Sequence, residues 1–188
     1  MSPSSVIPAK AGIHFFRNLL LASHMKAVIL GSAKLQHRII RMLRAFGIRN
    51  RTPLRILSKD SCSEVARLAG CWILDSSPKT SAFIAQGVGV SGDRNLKHDL
   101  LVVQSFNHGY RVIDPTVWQK FPLKRNIEMG ATPSLKEVFA FLHEKYGGRW
   151  HISEEIKTKN YPSVERTKLT GMIRDNVREV ERRWFATY

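Results

Sequence analysis

Cys62, His98 and Asp114 are the residues of this 188-residue chain whose types and order could do covalent chemistry together. A thiol attacks a carbonyl well only as its thiolate. It needs a base within hydrogen-bond reach and a third group that holds the base in place. Ser61-Cys62-Ser63-Glu64 matches the S-x-x-E capping box, and Val65, Ala66, Leu68, Ala69, Trp72 and Ile73 follow at helical spacing. The pattern predicts a helix from Cys62 to about Ile73 with Ser61 as its cap. Cys62 is then the first helical residue, where the positive end of the helix dipole and the free N–H groups favour a thiolate. Cys71 falls in the last turn, where the dipole opposes one, and lies about half a turn around from Cys62. Cys62 shares its face with Val65, Ala66, Ala69 and Trp72 and should point to the core side. The bland alternative is a small buried hydrophobe, the commonest fate of a free cysteine.

The base and the orienting carboxylate fall on two β-branched runs, His98–Val103 and Tyr110–Asp114, around the turn cluster Phe106-Asn107-His108-Gly109. They predict a β-hairpin. A three-residue loop, Phe106-Asn107-His108, pairs Ser105 with Gly109 and sets Asp114 opposite Leu100, on the face that His98 shares. Asp114 is then diagonal to His98, at about 7–8 Å between backbone positions, which these side chains can close. A two-residue loop would turn Asp114 to the wrong face. Taken singly, His98 could be a surface histidine at a strand end and Asp114 the turn residue of Asp-Pro-Thr. Trp118, just past Asp114, could wall a substrate groove or belong to the core.

Other elements must hold these three. A helix over 33–46, capped by Ser32, is predicted from Leu35, Ile39, Met42, Leu43 and Phe46. Pro53 interrupts the basic connector 48–60, and Leu54-Arg55-Ile56-Leu57 suggests a short strand. Thr80–Val90 reads as a strand. The His98 strand is apolar on both faces and should be central and buried. Ser134 and Glu137 form a second capping box for a helix to Tyr146, ended by Gly147-Gly148. Arg149–Ile152 suggests a strand. Ser163–Phe185 reads as a last helix with Val164, Leu169, Ile173, Val177, Val180 and Trp184 buried.

The order Ser-Cys62-Ser-Glu-Val-Ala at a helix start, a strand over 81–90, His98-Asp-Leu-Leu-Val-Val, and Tyr110-Arg-Val-Ile-Asp114-Pro-Thr resembles the transglutaminase-like core of the papain-like cysteine superfamily. It is also similar to bacterial transglutaminase-like cysteine proteinases and to small glutamine deamidases built on that core. The resemblance covers about residues 58–120. It implies an α+β fold with the nucleophile helix packed on an antiparallel sheet. Cys62 matches the family's nucleophile, His98 its base and Asp114 its orienting residue. The activity implied is acyl transfer from an amide in a protein or peptide substrate, through a thioester and without metal or organic cofactor. The chain departs from the pattern at Ser61, often glycine, and at Leu100, often aromatic. Residues 54–61 contain no Gln or Asn, so the backbone N–H of Cys62 is the one assignable oxyanion donor.

The length suits one domain, read as residues 25–188, and two cysteines outside any CxxC or CxH pair argue against structural zinc and for a reducing, cytoplasmic setting. No run approaches the roughly 20 apolar residues of a membrane span. Residues 1–13 resemble a translated dispersed repeat at the front of an over-extended bacterial reading frame, so residues 1–24 read as a non-native or disordered leader with Met25 the expected start. The formal charge of +15 is uneven: residues 1–60 hold eleven Lys/Arg and one acid, residues 61–150 eleven and eight. Lys34, Arg38, Arg41 and Arg44 form a stripe that is either a solvated face or an attraction for nucleic acid, lipid or an acidic partner. Two competing functions follow: an inactive transglutaminase-like binding module that works through this basic region, and an accessory domain that presents a substrate to another enzyme.

Overall fold

Five antiparallel strands, β1 (Thr80–Val88), β2 (Lys97–Ser105), β3 (Tyr110–Ile113), β4 (Glu128–Thr132) and β5 (Arg149–Ile156), lie in the order β4-β3-β2-β1-β5. The helices are α1 over 32–46, α2 (Leu54–Leu57), α3 (Cys62–Ser76), α4 (Leu135–Tyr146) and α5 (Ser163–Ala186). The fold is therefore of the α+β class. This computed structural model describes residues 32–105 and 109–187. The expectations for residues 1–24, the start at Met25 and the turn residues Phe106, Asn107 and His108 lie outside the described residues.

Strand alternation divides the sheet into two faces. Ile84, Leu101, Val103 and Ile113 face a core built with Val65 and Ala69 of α3, Ile39 and Leu43 of α1, and Ile173 and Val177 of α5. Ala85, Leu100, Val102 and Val112 face Val138 and Leu142 of α4. Both faces of β2 are covered, so Leu100, Leu101 and Val102 are all fully buried and the strand is central, as its composition predicts. A Cβ at Gly70 would run into Ile156 Cδ1 and stand 3.1 Å from Leu101 Cδ1, so glycine lets α3 lie close on the sheet. Ile39 and Leu43 are fully buried, each contributing about 1.5–3 kcal/mol to the docking of α1.

Several expectations change. Residues Leu54–Leu57 form a helical turn, not a strand. Pro53 (φ −61°) is preset for helix entry, and its carbonyl accepts from Ile56 N–H and Leu57 N–H at 2.9 and 3.1 Å. The Ser61 capping box does not form. Asp60 adopts a left-handed φ of 59°, and the Ser61 hydroxyl turns back to the Lys59 carbonyl at 3.4 Å. The first turn of α3 thus lacks a side-chain cap, while α3 still starts at Cys62 and runs on to Ser76. Ser32 lies within α1 and donates to Glu128 Oε2 of β4 at 2.5 Å. The second capping box does form, with Glu137 N–H donating to Ser134 Oγ at 3.3 Å. β5 extends to Ile156, and β4 was not anticipated. Val164 is 73% exposed, outside the buried stripe of α5.

Candidate active site

The β2–β3 pairing Leu101↔Ile113 sets the geometry of the site. One step past Ile113, Asp114 arrives beside Leu100, the register that a three-residue loop requires. Its N–H is anchored on the Ile127 carbonyl at 2.8 Å. His98 Nε2 and Asp114 Oδ2 stand 3.0 Å apart, with both side chains essentially inaccessible. The diagonal contact expected from the spacing is thus formed.

Asp114 is satisfied on every side. Oδ2 also accepts from the Tyr146 hydroxyl at 2.8 Å. Oδ1 accepts from Thr116 N–H at 3.0 Å and from the Thr116 hydroxyl at 3.3 Å. Sequence reasoning missed both partners. Thr116 is the third residue of Asp-Pro-Thr, and an Asx turn supplies the same bonds there. Tyr146 is the one polar-tipped residue on the inward stripe of α4. Its ring lies 5.7 Å from that of His98 and is edged by Phe121 at 5.2 Å and Trp150 at 5.6 Å. Trp150 reaches it across Gly87, where a Cβ would lie 2.6 Å from Trp150 Cζ2. An aromatic wall thus closes one side of the histidine.

Cys62 is half-buried at the open start of α3, whereas Cys71 is fully buried in the core. Cys62 lies near enough to the His98 ring to favour its protonated form, after the larger effect of Asp114. With Nε2 committed to Asp114, Nδ1 is the nitrogen left for the thiol. Burial alone would make His98 a weaker base. The charge and hydrogen bond of Asp114, joined by Cys62, outweigh it and push the ring up to about 10. Burial, then Asp114, pushes the Tyr146 phenol far up, so it stays a neutral donor. His98 and Asp99 face opposite ways. Asp99 accepts from Arg67 of α3 at 3.2 Å and from Gln86 at 3.1 Å. Arg67 also binds Glu154 of β5 at 2.9 Å and the Ser63 carbonyl at 3.1 Å, which fastens the first turn of α3 over the sheet.

Compared with protein-family models, with curated proteins and with solved structures, the chain matches none.

The remaining expected residues lie apart. Trp118 is 4% exposed and packs in the main core, not along an open groove. Lys34, Arg38, Arg41 and Arg44 are exposed along α1. Arg38 stacks 3.9 Å from the Trp72 ring, and Arg44 donates to the Asn50 carbonyl at 3.3 Å. Among the described residues no group of three or more His, Cys, Asp or Glu side chains could hold a metal ion, and no helix is long and apolar enough to cross a membrane.

Two neighbours frame the site. After Asp114 comes a 3-10 turn, Val117–Gln119. The Gln119 amide donates to the Ser58 carbonyl at 2.5 Å, in the segment leading into Cys62. The Lys120 ammonium donates to Ser91 Oγ at 3.3 Å, in the loop leading into β2. Burial lowers the proton affinity of Lys120, opposed by the charges of Cys62, Asp114 and Asp93. A thiol, an imidazole held by a carboxylate, and an uncapped helix start together can generate a thiolate and offer N–H groups to an oxyanion.

Proposed function

We propose that this chain is a cysteine-dependent acyl-transfer enzyme acting on amide bonds, built on a transglutaminase-like (papain-like) core. The observation that carries the reading is the buried His98–Asp114 pair, held by Tyr146 and Thr116, with the half-buried Cys62 at the start of α3 near enough to favour the protonated ring. A fully buried carboxylate given four donors fixes one ring orientation and stabilises an imidazolium.

In the proposed reaction His98 Nδ1 takes the Cys62 proton, and the thiolate adds to the amide carbonyl. The Cys62 N–H donates to the oxyanion. His98 then returns the proton to the departing amine, the C–N bond breaks and a thioester remains. Water, deprotonated by His98, releases the acid (peptidase, amidase or glutamine deamidase); an amine instead gives a new amide (transglutaminase).

Iodoacetamide alkylation tests this. Cys62 is expected to react at pH 6.5 well above the rate of a free cysteine, with Cys71 silent. His98→Ala should remove the excess. A Cys62 no faster than a free thiol, or one indifferent to His98, overturns the reading.

A second reading rests on a separate observation. Residues 32–59 carry Lys34, Arg38, Arg41, Arg44, Arg49, Arg51, Arg55 and Lys59, all exposed, and no acid. That surface suits a polyanion. Salt-sensitive nucleic-acid binding that survives Cys62→Ala would favour a binding module; its absence removes this alternative.

A further inference from the structure

We propose that Lys120 is an anion-recognising residue, and that the substrate carries a carboxylate close to the amide bond that Cys62 attacks. This rests on the acyl-transfer reading above.

The placement comes from two consecutive side chains. Gln119 grips Ser58, four residues before Cys62, and Lys120 touches Ser91, seven residues before His98. The 119–120 step therefore straps together the two segments that deliver nucleophile and base, with the ammonium on the His98 side of the strap. Lys120 is half-buried, and no carboxylate lies within 4.0 Å of it among the described residues. Three groups act on it by charge, Cys62 first, and the two carboxylates among them are otherwise engaged. Asp93 accepts from Asn95 N–H at 2.9 Å, and Asp114 gives both oxygens to four donors. Arg67 shows the ordinary arrangement: also half-buried, it has Asp99 and Glu154 as partners.

An ammonium has three donors, and a neutral hydroxyl occupies one of them. Holding a cation partly out of water without a counter-ion is costly unless an anion arrives with the ligand. One point charge suits a single carboxylate. In amide substrates that group is either a C-terminal α-carboxylate or an acidic side chain beside the scissile bond. The competing role is support of the Cys62 thiolate itself.

Two alkylating probes of similar size separate these roles, because iodoacetate is an anion and iodoacetamide is neutral. The iodoacetate-to-iodoacetamide rate ratio at Cys62 is expected to exceed that of glutathione. Lys120→Gln should lower the ratio about tenfold and Lys120→Glu further, with Lys120→Arg retaining it, whatever change the two rates share. The continued silence of the fully buried Cys71 shows that the variants are folded. A ratio no higher than that of glutathione, or equal losses for both reagents, overturns the proposal and leaves the acyl-transfer reading standing. A Cys62 inert to both overturns the two together. Protection of Cys62 from iodoacetamide by N-acetylalanine supports the proposal with an α-carboxylate. Protection by the α-amide of N-acetylaspartate supports it with an acidic side chain. Protection by neither overturns it.

Discussion

Among the described residues two carboxylates are completely buried, Asp114 beside β2 and Glu181 on α5. Both are well supplied with donors. Glu181 accepts from the backbone N–H of Ile48, from Arg49 N–H at 3.0 Å and from the Thr52 hydroxyl. Asp114 accepts from the His98 ring, the Tyr146 hydroxyl and Thr116. A satisfied buried charge is therefore no signature of function in itself. The kind of donor makes the difference. The partners of Glu181 do not titrate, so the charge can only fix the α1–α2 connector against α5. One partner of Asp114 is an imidazole whose second nitrogen is left for a thiol, so that charge also sets where a proton resides.

Asp114→Asn gives the largest contrast. Its amide N–H₂ cannot accept from both His98 and Tyr146, so the ring loses its orientation. Turnover on an amide substrate is expected to fall about 10³–10⁴-fold. The iodoacetamide rate of Cys62 at pH 6.5 should fall to that of a free thiol. Wild-type reactivity in this variant would place Asp114 in the structural class of Glu181.

Glu181→Ala should do the reverse. It strands two backbone N–H groups and the Thr52 hydroxyl, at an expected cost of about 3 kcal/mol read from urea denaturation. Reactivity of Cys62 per folded molecule should stay at wild type. A loss of reactivity exceeding the loss of folded protein would show that the connector feeds the site.

The two carboxylates also differ in what pH does around them. The ordinary histidine value is about 6.5, and in the folded chain His98 is pushed up to about 10. A raised value means that the folded state holds the proton more tightly than the unfolded one. The contribution is complete below about pH 6.5 and is lost as pH rises towards 10. Denaturation midpoints should therefore fall across that window in wild type, and the fall should flatten in His98→Gln. In Glu181→Ala the same slope should persist from a lower starting point.

Much of the Asp114 side of this comparison was legible in the chain, and little of the Glu181 side. Strand alternation puts Asp114 on the face of His98 with a three-residue loop and on the opposite face with a two-residue loop, and the pairing Leu101↔Ile113 is the former register. Tyr146 reaches Asp114 from a helix 32 residues away, and nothing local marks its hydroxyl as a donor. The Ser61 motif misled because the left-handed turn at Asp60 rotates that hydroxyl away from α3. Lys120 and Gln119 owe their importance to where the chain returns after β3, which composition does not record. Glu181 could have been noticed. It follows Val177 by one helical turn on the buried stripe of α5, where a lone acid implies donors on the facing chain.

The smallest predicted effect also separates stability from chemistry. Gly171 lies within α5, and a Cβ placed there meets nothing within 4 Å. Gly171→Ala should stabilise the protein by about 1 kcal/mol by reducing the freedom of the unfolded chain. Because the site is ten residues from Glu181 on the same helix, the gain should add to the Glu181→Ala background and recover about a third of its loss in urea. In the Asp114→Asn background the same substitution should raise the denaturation midpoint and leave Cys62 as unreactive as before. If added stability restored alkylation there, the effect of Asp114→Asn would have been a folding defect, and the distinction between the two carboxylates would collapse into one of degree.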